Sequence, residues 1–155
     1  MKVKPSDALK SLGLSLPQPP APVGSYVPGI RTGDLVLVSG QIPLVDGKLT
    51  LTGKVGQDAS LEAAQQAARQ CVLAGLAIAA EQAGGIDQIE QMVRVGVFVN
   101  SAAGFTDQPK VANGASDVLV DIFGEAGKHV RAAVGVNELP LDAAVEVELM
   151  VRIKS

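Results

Sequence analysis

Residues Val130 to Ile153 read V-R-A-A-V-G-V-N-E-L-P-L-D-A-A-V-E-V-E-L-M-V-R-I, and this stretch decides the fold of the chain. Apolar residues alternate with other residues in two runs, one on each side of the segment Leu139-Pro140-Leu141-Asp142. Alternation with a period of two is typical of β-strands. The stretch therefore predicts two strands joined by a tight connection, as in a β-hairpin.

The alternation gives each of these two strands an apolar face and a second face, because successive side chains of a strand point in opposite directions. The apolar face holds Ala132, Val134 and Val136 from the first run and Val145, Val147, Leu149, Val151 and Ile153 from the second. We expect helices to cover this face. The opposite face holds Arg131, Ala133 and Gly135, followed by Glu146 and Glu148, and we expect it to be free of helices.

Two interpretations of the second face remain open from periodicity alone. Small residues such as Ala133 and Gly135 leave room for another group to approach the backbone. In the simpler interpretation, Arg131 pairs with a carboxylate and the small residues pack against a neighbouring subunit. In the other interpretation, the arginine and the small residues form part of a ligand site.

Composition limits the possible classes of protein. A chain of 155 residues predicts one domain with a substantial core. The net charge of -3 and the pI near 5.1 argue against a nucleic-acid-binding surface, which needs clustered Lys and Arg. No apolar run has the length of a membrane span, and no signal-peptide pattern is present at the N-terminus. We therefore expect a soluble, cytoplasmic protein that binds neither nucleic acid nor a membrane.

The lone cysteine and the lone histidine give little support for catalysis. Cys71 has no partner for an internal disulfide, gives no support for a metal cluster and lies on an apolar helical stripe, so we expect a small core residue. His129 lies just before the first strand of the key stretch and is expected to be an exposed loop residue. No partner at a useful spacing supports a catalytic dyad, and no motif indicates a metal or a cofactor.

The N-terminal part of the chain differs in composition from the rest. Pro5 to Leu12 predicts a short helix, with Ser6 as its cap and Gly13 as its stop. Leu14 to Val23 contains four prolines and is expected to be extended. Residues 1–23 are therefore predicted to be an N-terminal extension, and residues 24–155 to be the folded domain.

The order of the remaining elements indicates an α+β fold. Strands are predicted at Ile30-Arg31, Leu35 to Ser39, Leu49 to Val55 and Met92 to Val99, and helices from Ser60 to Ala83 and from Lys110 to Phe123. Gly40 is expected to interrupt its strand with a bulge. Two helices are too few to cover both faces of such a sheet, so we expect both on one face. The uncovered face is then expected to be buried by self-association.

Three motifs in this chain resemble the RidA/YjgF family of reactive-intermediate deaminases. They are Gly24-Ser25-Tyr26, Ser39-Gly40-Gln41-Ile42-Pro43, and Arg131 through Leu139-Pro140 to Val145-Glu146-Val147-Glu148. The motifs occur in the family's order, with the same fifteen-residue step from arginine to glutamate. The likeness runs from about Pro22 to Ile153.

This resemblance implies a chorismate-mutase-like fold, assembled as a homotrimer with ligand clefts between subunits. It also implies hydrolysis of enamine and imine intermediates, such as 2-aminoacrylate, to a 2-keto acid and ammonia, without a metal or a cofactor. The expected ligand is a small carboxylate-bearing imine or keto acid. Two other functions stay open: a non-catalytic binder of small carboxylates, and an endoribonuclease, which the acidic pI disfavours.

The resemblance also implies roles for individual residues. Arg131 would bind the substrate carboxylate, Glu146 would position the water, and Tyr26 would line the cleft from the neighbouring subunit. Ser39 and Gly40 would form part of the wall, and the backbone N–H of Ala133 would help to hold the ligand. The family's asparagine near the start of the second helix corresponds to Asn113, with Ser116 as a competing assignment.

Several features depart from the family pattern. Many members have a cysteine where this chain has Ala133, so a thiol-dependent role has no support here. The loop from Asn100 to Pro109 is longer than usual, and the proline-rich leader is expected to have no family counterpart. These departures indicate a divergent branch, for which an imine other than 2-aminoacrylate is an open alternative.

A hairpin would keep Arg131 and Glu146 apart even though they share a face. Arg131 would lie opposite roughly Val151, and Glu146 opposite roughly Val136. The two side chains would then be about five residues, or roughly 16 Å, apart along the strands. We therefore expect a working site to take them from different subunits.

Overall fold

The computed structural model describes residues 2–155, which form one mixed β-sheet with helices packed on one face. The helices are α1 (Pro5–Ser11), α2 (Leu61–Ala83) and α3 (Gln108–Phe123). The strands are β1 (Gly29–Thr32), β2 (Leu35–Gln41), β3 (Leu44–Val45), β4 (Lys48–Leu49), β5 (Ile89–Asn100), β6 (Val130–Val136) and β7 (Val145–Ile153). No helix in this described part of the chain has the length and apolar character needed to cross a membrane.

The five-stranded sheet has the order β1-β2-β7-β5-β6, and β3 and β4 form a separate small hairpin. Only β5 and β6 run parallel to each other; the other pairs are antiparallel. The core lies between this sheet and helices α2 and α3. The α+β class and the placement of both long helices on one face are confirmed, with α1 as an additional short helix.

Local signals set the ends of α2, as predicted. The hydroxyl of Ser60 accepts a hydrogen bond from the backbone N–H of Ala63, which satisfies one of the free donors of the first turn. Gly84 ends the helix in the left-handed conformation, at a φ of 87°. Cys71 is completely buried on the helix face, as expected, and its burial raises the pKa of the thiol well above the usual range.

The expected β6–β7 hairpin is wrong, because β5 lies between the two strands. Arg131 pairs with Val95 of β5, not with Val151, and Glu146 pairs with Phe98, not with Val136. The segment between β6 and β7 therefore crosses over β5 instead of forming a tight turn. The fully buried side chain of Asn100 supports this crossing by donating to Asp142 Oδ1 and to the carbonyl of Ala143, both at 3.2 Å.

The predicted faces of β6 are also wrong. Parallel pairing with β5 places Arg131 and Ala133 beside the buried Val95 and Val97, on the face that the helices cover. The other face of β6 is open, and Val134 on that face is 45% exposed. Glu146 lies on the open face of β7, so Arg131 and Glu146 lie on opposite faces of the sheet.

The remaining strand predictions are mixed. The register between β2 and β7 shifts between Val38 and Gln41, which confirms a bulge at Gly40. The strand expected from Leu49 to Val55 is wrong, since only Leu49 belongs to a strand and Thr52 and Val55 make isolated bridges. Short apolar runs give an ambiguous signal, and this segment makes only single bridges even though Val55 is completely buried in the core.

The first described residues of the leader, which is the N-terminal extension of residues 1–23, pack against the domain. Ser6 is not the cap of α1, which is Lys4; instead the Ser6 hydroxyl and backbone N–H donate to the Asp87 carboxylate at 2.7 and 2.9 Å. Leu9 of α1 is buried in the core cluster. Residues 14–23 continue without helix or strand, as their prolines predict.

The packing of α3 against α2 depends on Gly114. A Cβ atom at this position would lie 2.1 Å from the carbonyl oxygen of Gln65, which is backbone and cannot move aside. We expect Gly114→Ala to lower the free energy of unfolding by about 1–3 kcal/mol, the usual cost of overpacking. Urea denaturation of the two proteins measures this difference. Unchanged stability would show that the two helices have room to separate.

Candidate active site

Arg131 lies at the exposed edge of the sheet and is held by α3. Its Nη1 donates to Asn113 Oδ1 at 2.8 Å and to Ser116 Oγ at 3.1 Å, and its Nη2 donates to the carbonyl of Pro109 at 3.3 Å. All three acceptors are neutral. Within residues 2–155 no carboxylate lies at ion-pair distance from the guanidinium, so its charge is not neutralised by the protomer. Pairing of Arg131 with a carboxylate of its own protomer is therefore not observed, and packing of its face against a neighbouring subunit stays a prediction.

The competing assignments Asn113 and Ser116 both contact Arg131, since they lie three residues apart on α3. Ser116 Oγ also lies 2.9 Å from His129 Nε2, and His129 Nδ1 lies 2.6 Å from the carbonyl oxygen of Gly127. His129 is half-buried, not a free exposed loop residue as expected. The reason is that the chain before β6 passes directly beside α3.

Glu146 differs from Arg131 in having no hydrogen-bond partner among residues 2–155, although it is half-buried. Burial and, to a smaller extent, the neighbouring charge of Glu148 raise the pKa of the Glu146 carboxyl above its ordinary value. The Gly40 bulge makes room for this carboxyl, because a Cβ at Gly40 would lie 2.8 Å from Glu146 Cδ and Oε1. A half-buried carboxylate with a raised pKa in a cleft is typical of functional sites.

Glu146 lies in a cleft with a volume of about 410 Å³. Two of its expected companions, Gly40 and Tyr26, line the same cleft. The leader forms another wall, from Pro20 to Val23, and Leu141 lies at the edge. Ser39 is next to the cleft but does not line it, and its hydroxyl donates to the carbonyl of Val27 at 3.0 Å.

The structure thus arranges the predicted residues in two groups. One group, at the edge of β6, contains Arg131, Asn113 and Ala133, to which Ser116 is added. The other group, on the open side of the sheet, contains Glu146, Gly40 and Tyr26. The Glu146 cleft does not contain Arg131, because the two residues lie on opposite faces of the sheet.

Sequence reasoning missed two contributions to these groups. The prolines of residues 14–23 predict an extended segment but do not indicate that residues 20–23 line the Glu146 cleft. His129 was missed because its partner Ser116 lies on a different element. The order of β5, α3 and β6 indicates that α3 lies beside β6, and therefore that Ser116 can lie near His129. A strand–helix–strand unit normally forms parallel neighbouring strands with the helix packed over them.

Comparison with known proteins agrees with this fold. A sequence profile described as "YjgF/chorismate mutase-like, putative endoribonuclease" matches residues 6–153. The chain belongs to the RidA/YjgF family. The match begins within α1, so the RidA/YjgF likeness is wider than the range from Pro22 to Ile153 and includes the leader.

Three RidA/YjgF relatives show how broad this likeness is. The protein TCP17 of Trypanosoma cruzi is 41% identical over 148 residues, which cover 95% of this chain and 92% of that protein. A 2-iminobutanoate/2-iminopropanoate deaminase of Dermatophagoides farinae is 30% identical over 142 residues, covering 91% and 95%. The crystal structure of a putative endoribonuclease from Shewanella oneidensis superposes with a TM-score of 0.93 at 32% identity, covering 97% of this chain and 100% of that one.

The fit between Gly40 and Glu146 gives a prediction specific to this RidA/YjgF chain. Gly40→Ala would push the Glu146 carboxyl away from its position, and a displacement of about 1 Å costs up to about a hundredfold in rate when the displaced group is catalytic. Under the imine hydrolysis that the family resemblance implies, we expect kcat to fall roughly tenfold or more. The same change made in a Glu146→Gln background is the control, and there it is expected to have little further effect. A full additional loss in that background would show that Gly40 acts independently of Glu146.

Proposed function

We propose that this protein is a hydrolytic deaminase of reactive enamine and imine intermediates, converting 2-imino acids to 2-keto acids and ammonia. The observation that supports this most directly is that, within residues 2–155, the Arg131 guanidinium has no counter-ion and the half-buried Glu146 carboxylate has no hydrogen-bond partner. The family to which the chain belongs contains imine deaminases. No metal or cofactor is part of the proposal.

Arg131 is proposed to bind the substrate carboxylate. Three of its five N–H groups are used by α3, which leaves the Nε–H and one Nη2–H for a ligand. A guanidinium binds a carboxylate through two parallel charge-assisted hydrogen bonds, and these are stronger than bonds between neutral groups. Asn113 and Ser116 hold the guanidinium, and Ala133, the next residue on the same face, is proposed to offer its backbone N–H.

Glu146 is proposed to position and activate the water. The carbon of the protonated imine is already electrophilic, so water adds to it as Glu146 accepts a proton, which gives a neutral carbinolamine. Glu146 returns that proton to the nitrogen, and the C–N bond breaks as the hydroxyl group gives its proton to Glu146, which leaves the keto acid and ammonia. This last proton leaves with the ammonia as ammonium, and the Glu146 carboxylate is regenerated. A raised pKa suits both steps, because a general base works best when its pKa lies closer to the working pH.

The two groups are proposed to meet between subunits of a homotrimer. Within one protomer Arg131 and Glu146 lie on opposite faces of the sheet, so one small ligand does not reach both. The open face carries Leu37 at 37% and Val134 at 45% exposure, which favours its burial by self-association. A ring of three copies would bring Arg131 of one protomer to the Glu146 cleft of the next.

The cleft favours an apolar substrate side chain larger than that of 2-aminoacrylate. Pro20 to Val23, Tyr26 and Leu141 surround the space beyond Glu146. Leu141 is 74% exposed and has a φ of 57°, a conformation that disfavours leucine, and nothing in the fold of the protomer requires that side chain. We propose that Leu141 contacts the side chain of the imino acid.

A direct assay tests the function. An amino acid oxidase generates the imino acid from alanine or leucine, and semicarbazide traps whatever imine remains. We expect the protein to reduce trapping for both imines and to do so more strongly for the leucine-derived one. Lack of acceleration together with binding of 2-oxobutanoate by calorimetry would identify a carboxylate-binding protein instead of an enzyme.

Mixed trimers test the position of the site. Arg131→Ala and Glu146→Gln chains are each expected to be inactive alone. If the chains are refolded together, random mixing restores an intact pair at up to about one site in four, and activity returns. Failure to recover activity in trimers shown by mass spectrometry to contain both chains would place the two groups in separate sites.

A further inference from the structure

A continuous line of hydrogen bonds joins the backbone before β6 to the guanidinium of Arg131. The carbonyl oxygen of Gly127 lies 2.6 Å from His129 Nδ1, His129 Nε2 lies 2.9 Å from Ser116 Oγ, and Ser116 Oγ accepts from Arg131 Nη1 at 3.1 Å. The members come from the turn after α3, from the residue before β6, from α3 and from β6 itself. Each of these elements is thereby connected to the charged side chain.

When His129 is neutral, the direction of every hydrogen bond in this line is fixed. A carbonyl oxygen only accepts, so Nδ1 of His129 carries the proton that is donated to Gly127. In neutral histidine the other ring nitrogen, Nε2, is then an acceptor. The Ser116 hydroxyl therefore donates to Nε2, and its oxygen lone pairs are turned towards Arg131.

This orientation matters because a serine hydroxyl rotates freely unless a partner holds it. Without an acceptor at Nε2, the Ser116 hydrogen is free to turn towards the guanidinium, and Arg131 then loses one of its acceptors. Arg131 is exposed on an edge strand, and a long side chain of this kind has much rotamer freedom to lose on binding. A preset orientation reduces that cost.

We infer that His129 is a positioning residue that acts through Ser116 to fix the orientation of the Arg131 guanidinium for its ligand. The inference rests on the proposed function only for the nature of that ligand. His129 does not contact the substrate and transfers no proton in the reaction. Its role is to set the hydroxyl of Ser116, which in turn sets the arginine.

Variants separate positioning from catalysis. Ser116→Ala and His129→Phe each remove one link, and each is expected to raise KM for the imine and Kd for 2-oxobutanoate roughly tenfold, the value of one hydrogen bond to a charged group. We expect kcat to change little. The double variant is expected to bind 2-oxobutanoate no more weakly than either single variant, because both substitutions break the same line of hydrogen bonds. His129→Gln, whose side-chain oxygen can accept from Ser116, is expected to recover much of the binding.

A spectroscopic measurement tests the inference without any ligand. The sequence contains one histidine, so the ring nitrogens of the ¹⁵N-labelled, tag-free protein give a single set of signals. We expect the Nδ1-protonated tautomer at alkaline pH, slow rotation of the Arg131 guanidinium in the wild type, and faster rotation in Ser116→Ala. An Nε2-protonated ring in the wild type would overturn the inference even if Ser116→Ala and His129→Phe proved unstable. Equal rotation in the wild type and a folded Ser116→Ala would overturn it as well.

The two proposals fail in distinguishable ways. A wild type that shows no imine hydrolysis and no 2-oxobutanoate binding contradicts the proposed function, while the tautomer and the arginine rotation still decide the role of His129. A wild type that is active, with His129→Phe and Ser116→Ala folded and unchanged in KM and Kd, contradicts the role of His129 alone.

Discussion

Replacing Arg131 with lysine is expected to lower kcat/KM for imine hydrolysis by about a hundredfold, although the charge is kept. A lysine ammonium is a point charge that does not reproduce the two parallel hydrogen bonds of a guanidinium. It also lacks the geometry to donate to Asn113 and Ser116 while binding a ligand. Steady-state rates in the trapping assay and calorimetric Kd values for 2-oxobutanoate measure the effect, and most of it is expected in KM and Kd.

Arg31→Lys provides the matched control. Arg31 is also exposed on a strand, and its Nε donates to the carbonyl of Gly33 at 3.0 Å, but it lies on β1, away from both groups of site residues. We expect this variant to keep wild-type kinetics. If Arg131→Lys matched it in kcat/KM, the guanidinium would not be the carboxylate anchor, and its contacts with α3 would serve the fold instead.

Replacing Glu146 with glutamine is expected to lower kcat about 10²–10⁴-fold, the usual contribution of a general base. Glutamine keeps the size of the side chain over Gly40 but accepts no proton. Binding of 2-oxobutanoate is expected to persist, because Arg131 is untouched. Glu148→Gln is the control: Glu148 lies one strand period away and pairs with Arg94 at 3.9 Å, and we expect at most a small effect. Equal losses of kcat in both variants would show that the effect comes from the negative charge of the open face of β7 and not from a general base.

The raised pKa of Glu146 sets the direction of two pH effects. Wild-type kcat is expected to fall as the pH drops through this pKa, at a higher pH than an ordinary glutamate near about 4.3 would give. The folded protein holds the proton more tightly than the unfolded chain, so ionisation of Glu146 disfavours the fold as the pH rises from the unfolded pKa through the folded one. Glu146→Gln is therefore expected to be at least as stable as the wild type at neutral pH, with the difference disappearing in acid. Greater stability of the wild type at neutral pH would contradict a raised pKa.

The helices could be predicted from sequence because their signals are local. Ser60 and Gly84 mark the ends of α2 within a few residues, and the buried stripe of α3 follows from its own spacing. The Gly40 bulge was likewise predictable, since a glycine at the end of an apolar strand has few other uses there.

The face occupied by Arg131 could not be predicted from its own strand. Alternation shows that Arg131 and Val134 lie on opposite sides, but it does not show which side faces the helices. That choice depends on the pairing of Arg131 with Val95, far away in sequence. A shift of one residue in this register would exchange the two faces. The expectation that Arg131 and Glu146 belong to different subunits stays a prediction, now supported by a different geometry from the one first expected.

The position of the leader allows different residues to determine the fold and the lining of the Glu146 cleft. Residues 20–23 border the Glu146 cleft, yet they belong to no helix or strand and contribute nothing to the sheet ladder. Under the proposed function, substitutions at these few residues can change which substrates bind, while Arg131 and Glu146 keep their positions. Substrate specificity can therefore evolve at residues 20–23 with little effect on the stability of the fold.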